Sequence, residues 1–178
     1  TTRAPETQRS SRSFLNAPAE HIVVLGQMGV GKTTVGSLLA AALGRSFFDS
    51  DEQIEAMTGS SGREVAEAEG VGRLHELELD ALLRALQTSE DSVVAAAASV
   101  VDFEEGRHAL ADVLCIWVDR DASGIGESEH RRIVGEGEEL GRRRPLFERL
   151  ADCTLSGPGG PEEYVARALA FLEERQGA

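Results

Sequence analysis

The segment GQMGVGKTT (26–34) lies between an apolar run and an amphipathic stretch, and this arrangement constrains the fold more than any other feature of the sequence. The run HIVVLG (21–26) is continuously apolar and ends in glycine, which is typical of a strand buried on both faces of a sheet. Apolar residues then recur at helical spacing through residues 32–43, and Gly44 follows as a C-terminal cap. The sequence therefore predicts a strand, a glycine-rich loop and a helix in direct succession.

The loop matches the pattern G-x-x-x-x-G-K-[ST], which binds phosphate when it connects a strand to a helix. Its glycines let backbone N–H groups turn inward, and the helix amino end adds partial positive charge. Lys32 is the only lysine among 18 basic residues, and its compact ammonium fits a tight loop that the planar arginine fork does not. The alternative is a glycine-rich turn that only connects strand and helix. The residues predicted to bind a nucleotide are Gly26, Gly29, Val30, Gly31, Lys32, Thr33 and Thr34.

Apolar runs predict four further strands, at 46–51, 92–101, 113–119 and 152–156. Helical patterns lie between them, at 51–59, 61–88, 104–111 and from Pro161 onward. Alternating strands and helices favour parallel pairing through right-handed crossovers, with helices on both faces of the sheet. We therefore predict an α/β protein, a three-layer α/β/α fold with a five-stranded parallel sheet, and ligands at the carboxyl ends of its strands.

The chain of 178 residues has a formal net charge of −13 and a pI near 4.7. Such a charge repels phosphate backbones and anionic membrane surfaces, so we predict neither nucleic acid nor a membrane as partner, and a small-molecule substrate that is anionic would need positive charge gathered locally. No apolar run is long enough for a membrane span. Five of the 18 basic residues lie between Arg131 and Arg144, which favours anion binding in that region.

Residues 1–20 are rich in Thr, Ser, Arg and Pro and predict a disordered leader, followed by one domain at 21–178. Whether the leader is a targeting remnant or a linker stays open. Cys115 and Cys153 lie in short apolar stretches without a C-x-x-C spacing, so we predict buried thiols of a reducing compartment. We expect a cytoplasmic monomer.

The chain resembles the shikimate kinase family over about residues 20–175. The resemblance depends on GQMGVGKTTVG, on FFDSD with its following acidic helix, on EGVGRLHELE and on RRPLFERLAD. It implies a P-loop kinase fold with a lid over ATP, and ATP and Mg²⁺ as cofactors. The implied reaction moves the γ-phosphoryl group of ATP to a hydroxyl of shikimate, a step of aromatic amino acid biosynthesis.

The same resemblance implies roles for two carboxylates. By position, Asp49 joins Thr33 as a metal residue, and Asp51 holds or deprotonates the accepting hydroxyl as a catalytic residue alongside Lys32. Asp119 ends the apolar run LCIWVD and is a rival metal carboxylate. The DSD segment could instead be an ordinary turn in which Ser50 or Asp51 caps a helix.

Arginines complete the implied site. Arg143 matches the arginine that binds the substrate carboxylate, a role that suits a bidentate guanidinium. Arg131 or Arg132 would be the catalytic lid arginine, and we choose Arg131. The alternative is a solvated basic face.

Two departures from the family pattern affect the substrate side, where the implied contacts are Asp51, His75, Ala97, Ala98 and Arg143. Ala97, Ala98 and Ser99 replace three glycines, and His75 replaces a second carboxylate-binding arginine. Two alternatives to a shikimate kinase therefore stay open. One is a nucleotide-binding regulatory module without turnover, and the other is a kinase of a different polyol or sugar acid.

Overall fold

The computed structural model describes residues 19–120 and 136–177. Within them, one sheet has the strand order β2-β3-β1-β4-β5, and every neighbouring pair is parallel. The strands are β1 (His21–Leu25), β2 (Ser46–Asp49), β3 (Ser92–Ala95), β4 (Leu114–Asp119) and β5 (Cys153–Ser156). The five-stranded parallel sheet of the sequence analysis is confirmed.

Helices connect the strands in the predicted alternation. They are α1 (Lys32–Leu43), α2 (Ser50–Thr58), α3 (Gly62–Glu69), α4 (Val71–Leu86), a 3₁₀ turn (Ala98–Asp102), α5 (Glu104–Ala111), α6 (Glu136–Leu150) and α7 (Pro161–Gly177). Helix α6 is absent from the predicted elements, and its Gly141 and Pro145 explain why the helical pattern is weak there.

The sheet is buried on both faces. In β1, Ile22 and Val24 pack with α1 and α7, whereas Val23 and Leu25 pack with α4, α5 and α6. Alternate residues of a strand point to opposite faces, so a strand between two helical layers is apolar throughout. The three-layer α/β/α architecture is therefore confirmed, and the continuous apolar run of β1 has this physical cause.

The predicted strand at 92–101 is too long. Strand β3 ends at Ala95, which is the last register partner of both Asp49 in β2 and Val24 in β1. Beyond that point β2 turns into α2 and β1 turns into the glycine loop, so no ladder partner remains for the alanine run. The chain instead forms the 3₁₀ turn, which carries Ser99 and Asp102 to the edge of the sheet.

The predicted helix at 61–88 is two helices. Its capping box is confirmed, because Ser61 N donates to Glu64 Oε2 at 2.7 Å and Glu64 N donates to Ser61 Oγ at 3.3 Å. Gly70, with φ of +95°, then ends α3 and begins α4. A positive φ interrupts a right-handed helix, and apolar periodicity cannot register this break because it resumes at once in α4.

The two cysteines differ in burial. Cys115 is buried, and burial raises the pKa of its thiol to about 12. The prediction of a buried Cys153 is wrong, since this residue is half-buried on the edge strand β5. The predicted leader lies outside the described residues except at positions 19 and 20. In the part of the chain that the structure describes, no helix is long and apolar enough to cross a membrane.

Candidate active site

The glycine loop follows β1 at the carboxyl edge of the sheet. Gly26, Gly29 and Gly31 have φ values of +147°, +78° and +97°, which L side chains rarely adopt. A Cβ on Gly26 would lie 2.7 Å from the carbonyl oxygen of Val118 in β4. Close approach between the loop and β4 therefore requires glycine at this position.

Helix α1 begins directly after this loop. Its N-cap residue, Gly31, makes no side-chain hydrogen bond to the first turn. The first amides of a helix have no partner within the helix, so they are available to an anion. The predicted nucleotide residues therefore lie together at a helix amino end, as a phosphate cradle requires.

Lys32 is partly buried, and its Nζ donates to the carbonyl oxygen of Gln27 at 2.8 Å. Desolvation lowers the pKa of Lys32 to about 8, although the nearby carboxylates Asp51, Glu78 and Asp49 oppose this effect. The ammonium therefore lies in an environment that favours added negative charge. Phosphate oxygens would supply that charge.

Thr33 and Asp49 meet at the start of α1 and the end of β2. Thr33 Oγ1 donates to Asp49 Oδ2 at 2.6 Å, and Asp49 is only 6% exposed. The other oxygen, Asp49 Oδ1, accepts from the amides of Asp51 and Glu52 at 2.9 and 3.4 Å. The cap of α2 is thus Asp49, and the alternative in which Ser50 or Asp51 caps this helix is wrong.

The donor set of Thr33 and Asp49 suits Mg²⁺, which prefers one or two protein oxygens together with substrate phosphates and water. Within residues 19–120 and 136–177, no three His, Cys, Asp or Glu side chains form a ready metal cage. An ion bound here would therefore need phosphate ligands. This requirement fits a metal that arrives with a nucleotide.

Asp119, the rival metal carboxylate, is held by a different group. Arg144 Nη1 and Nη2 donate to Asp119 Oδ1 and Oδ2 at 2.9 and 2.6 Å. The Arg144 guanidinium also lies 5.1 Å above the ring of Trp117, which packs against Phe147 of α6. The ion pair of Asp119 with Arg144 therefore links β4 to α6. Because both oxygens of Asp119 are occupied by this pair, the geometry favours Asp49 as the metal carboxylate.

Asp51 lies in the first turn of α2 and is exposed. Its negative charge raises the pKa of both Lys32 and Glu78. Asp51 is therefore close to the loop lysine at the mouth of the sheet. This is the arrangement that the sequence predicts for an acceptor carboxylate.

Glu78 in α4 is a site residue that sequence reasoning missed. It is 7% exposed and accepts a short hydrogen bond from Ser99 Oγ of the 3₁₀ turn. Burial raises the pKa of Glu78 to about 7, with a further contribution from Asp51. One signal was available, because Glu78 occupies the apolar face of α4 four residues after Leu74 and four before Leu82.

Arg143 of α6 is 4% exposed and is fully engaged by carboxylates. Its Nε and Nη2 donate to Asp102 Oδ2 at 3.1 and 2.6 Å, and its Nη1 lies 3.2 Å from Glu139 Oε2. Burial would lower the pKa of Arg143, but the hydrogen bonds and charge of Asp102 and the charge of Glu139 raise it above its usual value. The pairing with Asp102, 41 positions away along the chain, could not be predicted from local sequence spacing.

His75 lies near this ion pair. Burial lowers the pKa of His75, and the positive charge of Arg143 lowers it further. A neutral imidazole cannot replace the second arginine of the family pattern.

Ala97 and Ala98 precede Ser99 at the start of the 3₁₀ turn, whereas Arg131 and Arg132 lie outside the described residues.

Fold and site together define a class of protein, a small P-loop phosphotransferase with its nucleotide cradle at the carboxyl edge of a parallel sheet. The model of the shikimate kinase family matches residues 28–173. A shikimate kinase of Symbiobacterium thermophilum is 32% identical over an alignment 170 residues long, which covers 87% of this chain and 97% of that protein. The chain therefore belongs to the shikimate kinase family, a family of ATP-dependent kinases, and the resemblance stated from the sequence is confirmed.

Solved structures agree with this assignment. Shikimate kinase from Aquifex aeolicus is 25% identical, with a TM-score of 0.75, and the alignment covers 88% of this chain and 98% of that one. Shikimate kinase from Acinetobacter baumannii in complex with shikimate has a TM-score of 0.76 at 24% identity, covering 88% and 94%. The latter likeness supports the fold.

Proposed function

We propose that this chain transfers the γ-phosphoryl group of ATP to a hydroxyl of a small metabolite, and that shikimate is the first acceptor to test. The observation that carries the proposal is the convergence of the glycine loop, Lys32, the Thr33–Asp49 pair and Asp51 at one edge of the sheet. Membership of the shikimate kinase family supports both the reaction and the acceptor.

In this proposal ATP supplies the phosphoryl group and Mg²⁺ neutralises phosphate charge when they are bound. The loop amides and the Lys32 ammonium hold the phosphates. Thr33 Oγ1 and the Asp49 carboxylate would hold the metal. Asp51 orients the acceptor hydroxyl and takes its proton as the new O–P bond forms, while the bond between the γ-phosphorus and the bridging oxygen breaks and ADP leaves. Arg131, which lies outside the described residues, is proposed from the family resemblance to add positive charge during transfer.

Release of ADP, measured by a coupled assay with and without shikimate, tests this function. We expect shikimate-stimulated turnover that falls by roughly 10²–10⁴-fold in Asp51→Asn, because the proton acceptor is lost. Glu52→Gln removes a neighbouring exposed carboxylate of α2 and should leave turnover near the wild-type level. Shikimate-independent ADP release, or full activity of Asp51→Asn, would contradict the proposal.

A second candidate is a nucleotide-binding protein without turnover. The engaged state of Arg143 and the side chains of Ala97, Ala98 and Ser99 at the family's glycine positions favour it. ATP binding detected by calorimetry, with no ADP release across a panel of polyols and sugar acids, would select this candidate. Lys32→Arg should abolish the binding itself, since the fork does not fit the loop.

We further propose that the protein acts as a monomer in the cytoplasm. The unpaired thiols Cys115 and Cys153 support a reducing compartment. Light scattering at micromolar concentration measures the oligomeric state.

A further inference from the structure

The Asp102 carboxylate lies directly against the Arg143 guanidinium. Arg143 Nε lies 3.2 and 3.1 Å from Asp102 Oδ1 and Oδ2, and its Nη2 lies 2.6 Å from Oδ2. This is the side-on bidentate geometry in which a guanidinium recognises a carboxylate. The remaining nitrogen, Nη1, faces Glu139 at 3.2 Å. All three guanidinium nitrogens therefore have an internal carboxylate partner.

The backbone around Asp102 is itself held in place. Asp102 is the last residue of the 3₁₀ turn. Arg107 Nη1, from α5, donates to the carbonyl oxygens of Val101 and Asp102 at 2.8 and 3.0 Å. Arg142 Nη2 adds a longer contact to Asp102 Oδ2 at 3.4 Å. The hydrogen bonds from Arg107 thus position the backbone that carries the Asp102 carboxylate, and this carboxylate contacts Arg143 from a held position.

Neighbouring groups do not weaken the ion pairs of Arg143 with Asp102 and Glu139. His75 is kept neutral by burial and by the adjacent guanidinium, so it offers an incoming carboxylate no compensating charge. The Arg143 side chain is 5% exposed and that of Asp102 is 20% exposed. A carboxylate ligand must therefore displace Asp102 or Glu139 before it can bind Arg143.

We propose that Asp102 is a specificity-determining residue that competes with the carboxylate of an acceptor for the Arg143 guanidinium. Binding of carboxylate-bearing acceptors is weakened, and acceptors without a carboxylate are disfavoured less. The inference depends on the proposed function and on the role that the family resemblance implies for Arg143, which is to bind the carboxylate of the acceptor. It concerns the class of acceptor and not the phosphoryl transfer itself.

Two ligands separate the carboxylate contribution from the rest of the acceptor. Shikimate and its methyl ester share the same hydroxylated ring, but only the free acid carries a charge. Calorimetry with each ligand gives the ratio of the two affinities and requires no turnover. For the wild-type protein we expect a ratio near one, because the acid gains little from an occupied Arg143.

In Asp102→Asn the ratio should rise by roughly tenfold in favour of the acid, since a neutral amide competes less well for the guanidinium. Asp112→Asn is the matched control. It removes the same charge at an exposed position after α5 and should leave the ratio unchanged, which excludes a general effect of the acidic surface. The thermal unfolding midpoint of each variant verifies that it is folded.

Two results would overturn the inference: a wild-type protein that already binds the acid far more tightly than the ester, or an Asp102→Asn ratio equal to that of the wild type. The first is measured on the unmodified chain, so it decides the matter even if Asp102→Asn does not fold. ADP release by the wild type with either ligand tests phosphoryl transfer separately. Turnover with an unchanged ratio would leave the proposed function intact and reject the role of Asp102.

Discussion

Lys32 carries a charge in an environment that resists it. Burial lowers the pKa of Lys32 to about 8, so a substantial part of the free protein has a neutral amine at this position at pH 8.5. The carboxylates around it do not fully offset the desolvation. Bound phosphates would offset it, so protonation of Lys32 and nucleotide binding should be linked.

This linkage predicts proton uptake. At pH 8.5 binding of Mg·ATP should take up a fraction of a proton at Lys32, and at pH 6.5 much less, because the amine is already protonated there. Calorimetry in buffers of different ionisation enthalpy measures the uptake. The measurement is made in the Glu78→Gln variant, because Glu78 also titrates near the loop and would contribute protons of its own. Equal uptake at both pH values would contradict a depressed Lys32 pKa.

Glu78 predicts a pH dependence of stability of its own. With its pKa raised from 4.5 to about 7, the folded protein binds more protons than the unfolded chain between these values. Stability therefore falls as pH rises through this interval and levels off above about 7. The free energy of unfolding of the wild type should drop by about 2 to 3 kcal/mol relative to Glu78→Gln between pH 5 and pH 8.

Urea unfolding at the two pH values measures this change. Glu76→Gln provides the comparison, because Glu76 is a largely exposed glutamate two residues away on α4. The difference in free energy of unfolding between Glu76→Gln and the wild type should be the same at pH 5 and pH 8. If the free energy of unfolding changes equally with pH in Glu78→Gln and in the wild type, the pKa of Glu78 is not raised in the folded protein, which would contradict the prediction.

At the scale of elements, the 3₁₀ turn decides where the substrate-side groups lie. It presents Ser99 to Glu78 and Asp102 to Arg143, and α5 packs directly against it. The packing depends on Gly106, because a Cβ there would overlap the carbonyl oxygen of Val100. A backbone atom cannot move aside as a flexible side chain can.

Gly106→Ala should therefore destabilise the protein by about 1 to 3 kcal/mol, the usual cost of overpacking. Gly72→Ala in α4 is the control, since a Cβ at that position meets nothing within 4 Å. This second change should stabilise by about 0.5 to 1 kcal/mol through helix propensity. Chemical denaturation gives both values, and equal effects of the two substitutions would contradict the close approach of α5 to the turn.

The local sequence pattern predicted most elements, and it predicted their ends only where nearby residues determine the boundary. The limits of α1, with Gly44 as its cap, and the Pro161 start of α7 follow from residues within a few positions of the boundary. The end of β3 at Ala95 depends instead on where β1 and β2 stop pairing with it. That information lies more than 40 residues away along the chain and is not part of the local pattern.

At the scale of the whole molecule, the same distinction separates the two halves of the site. The nucleotide side could be predicted because the loop, Lys32 and Thr33 are contiguous in sequence. The substrate side is assembled from pairs such as Arg143 with Asp102, 41 positions apart, and Ser99 with Glu78, 21 positions apart. No spacing rule joins such residues, so their contacts appear only once the sheet order brings α4, α6 and the 3₁₀ turn together.

Trp117 is the only tryptophan in the chain, and it lies under Arg144 and against Phe147 of the helix that also carries Arg143. Indole emission is quenched and shifted by small changes in the contacts of the ring. The chain thus contains a label-free optical reporter in β4 that contacts α6, and stopped-flow fluorescence can detect a change in the packing of that helix without any engineered dye.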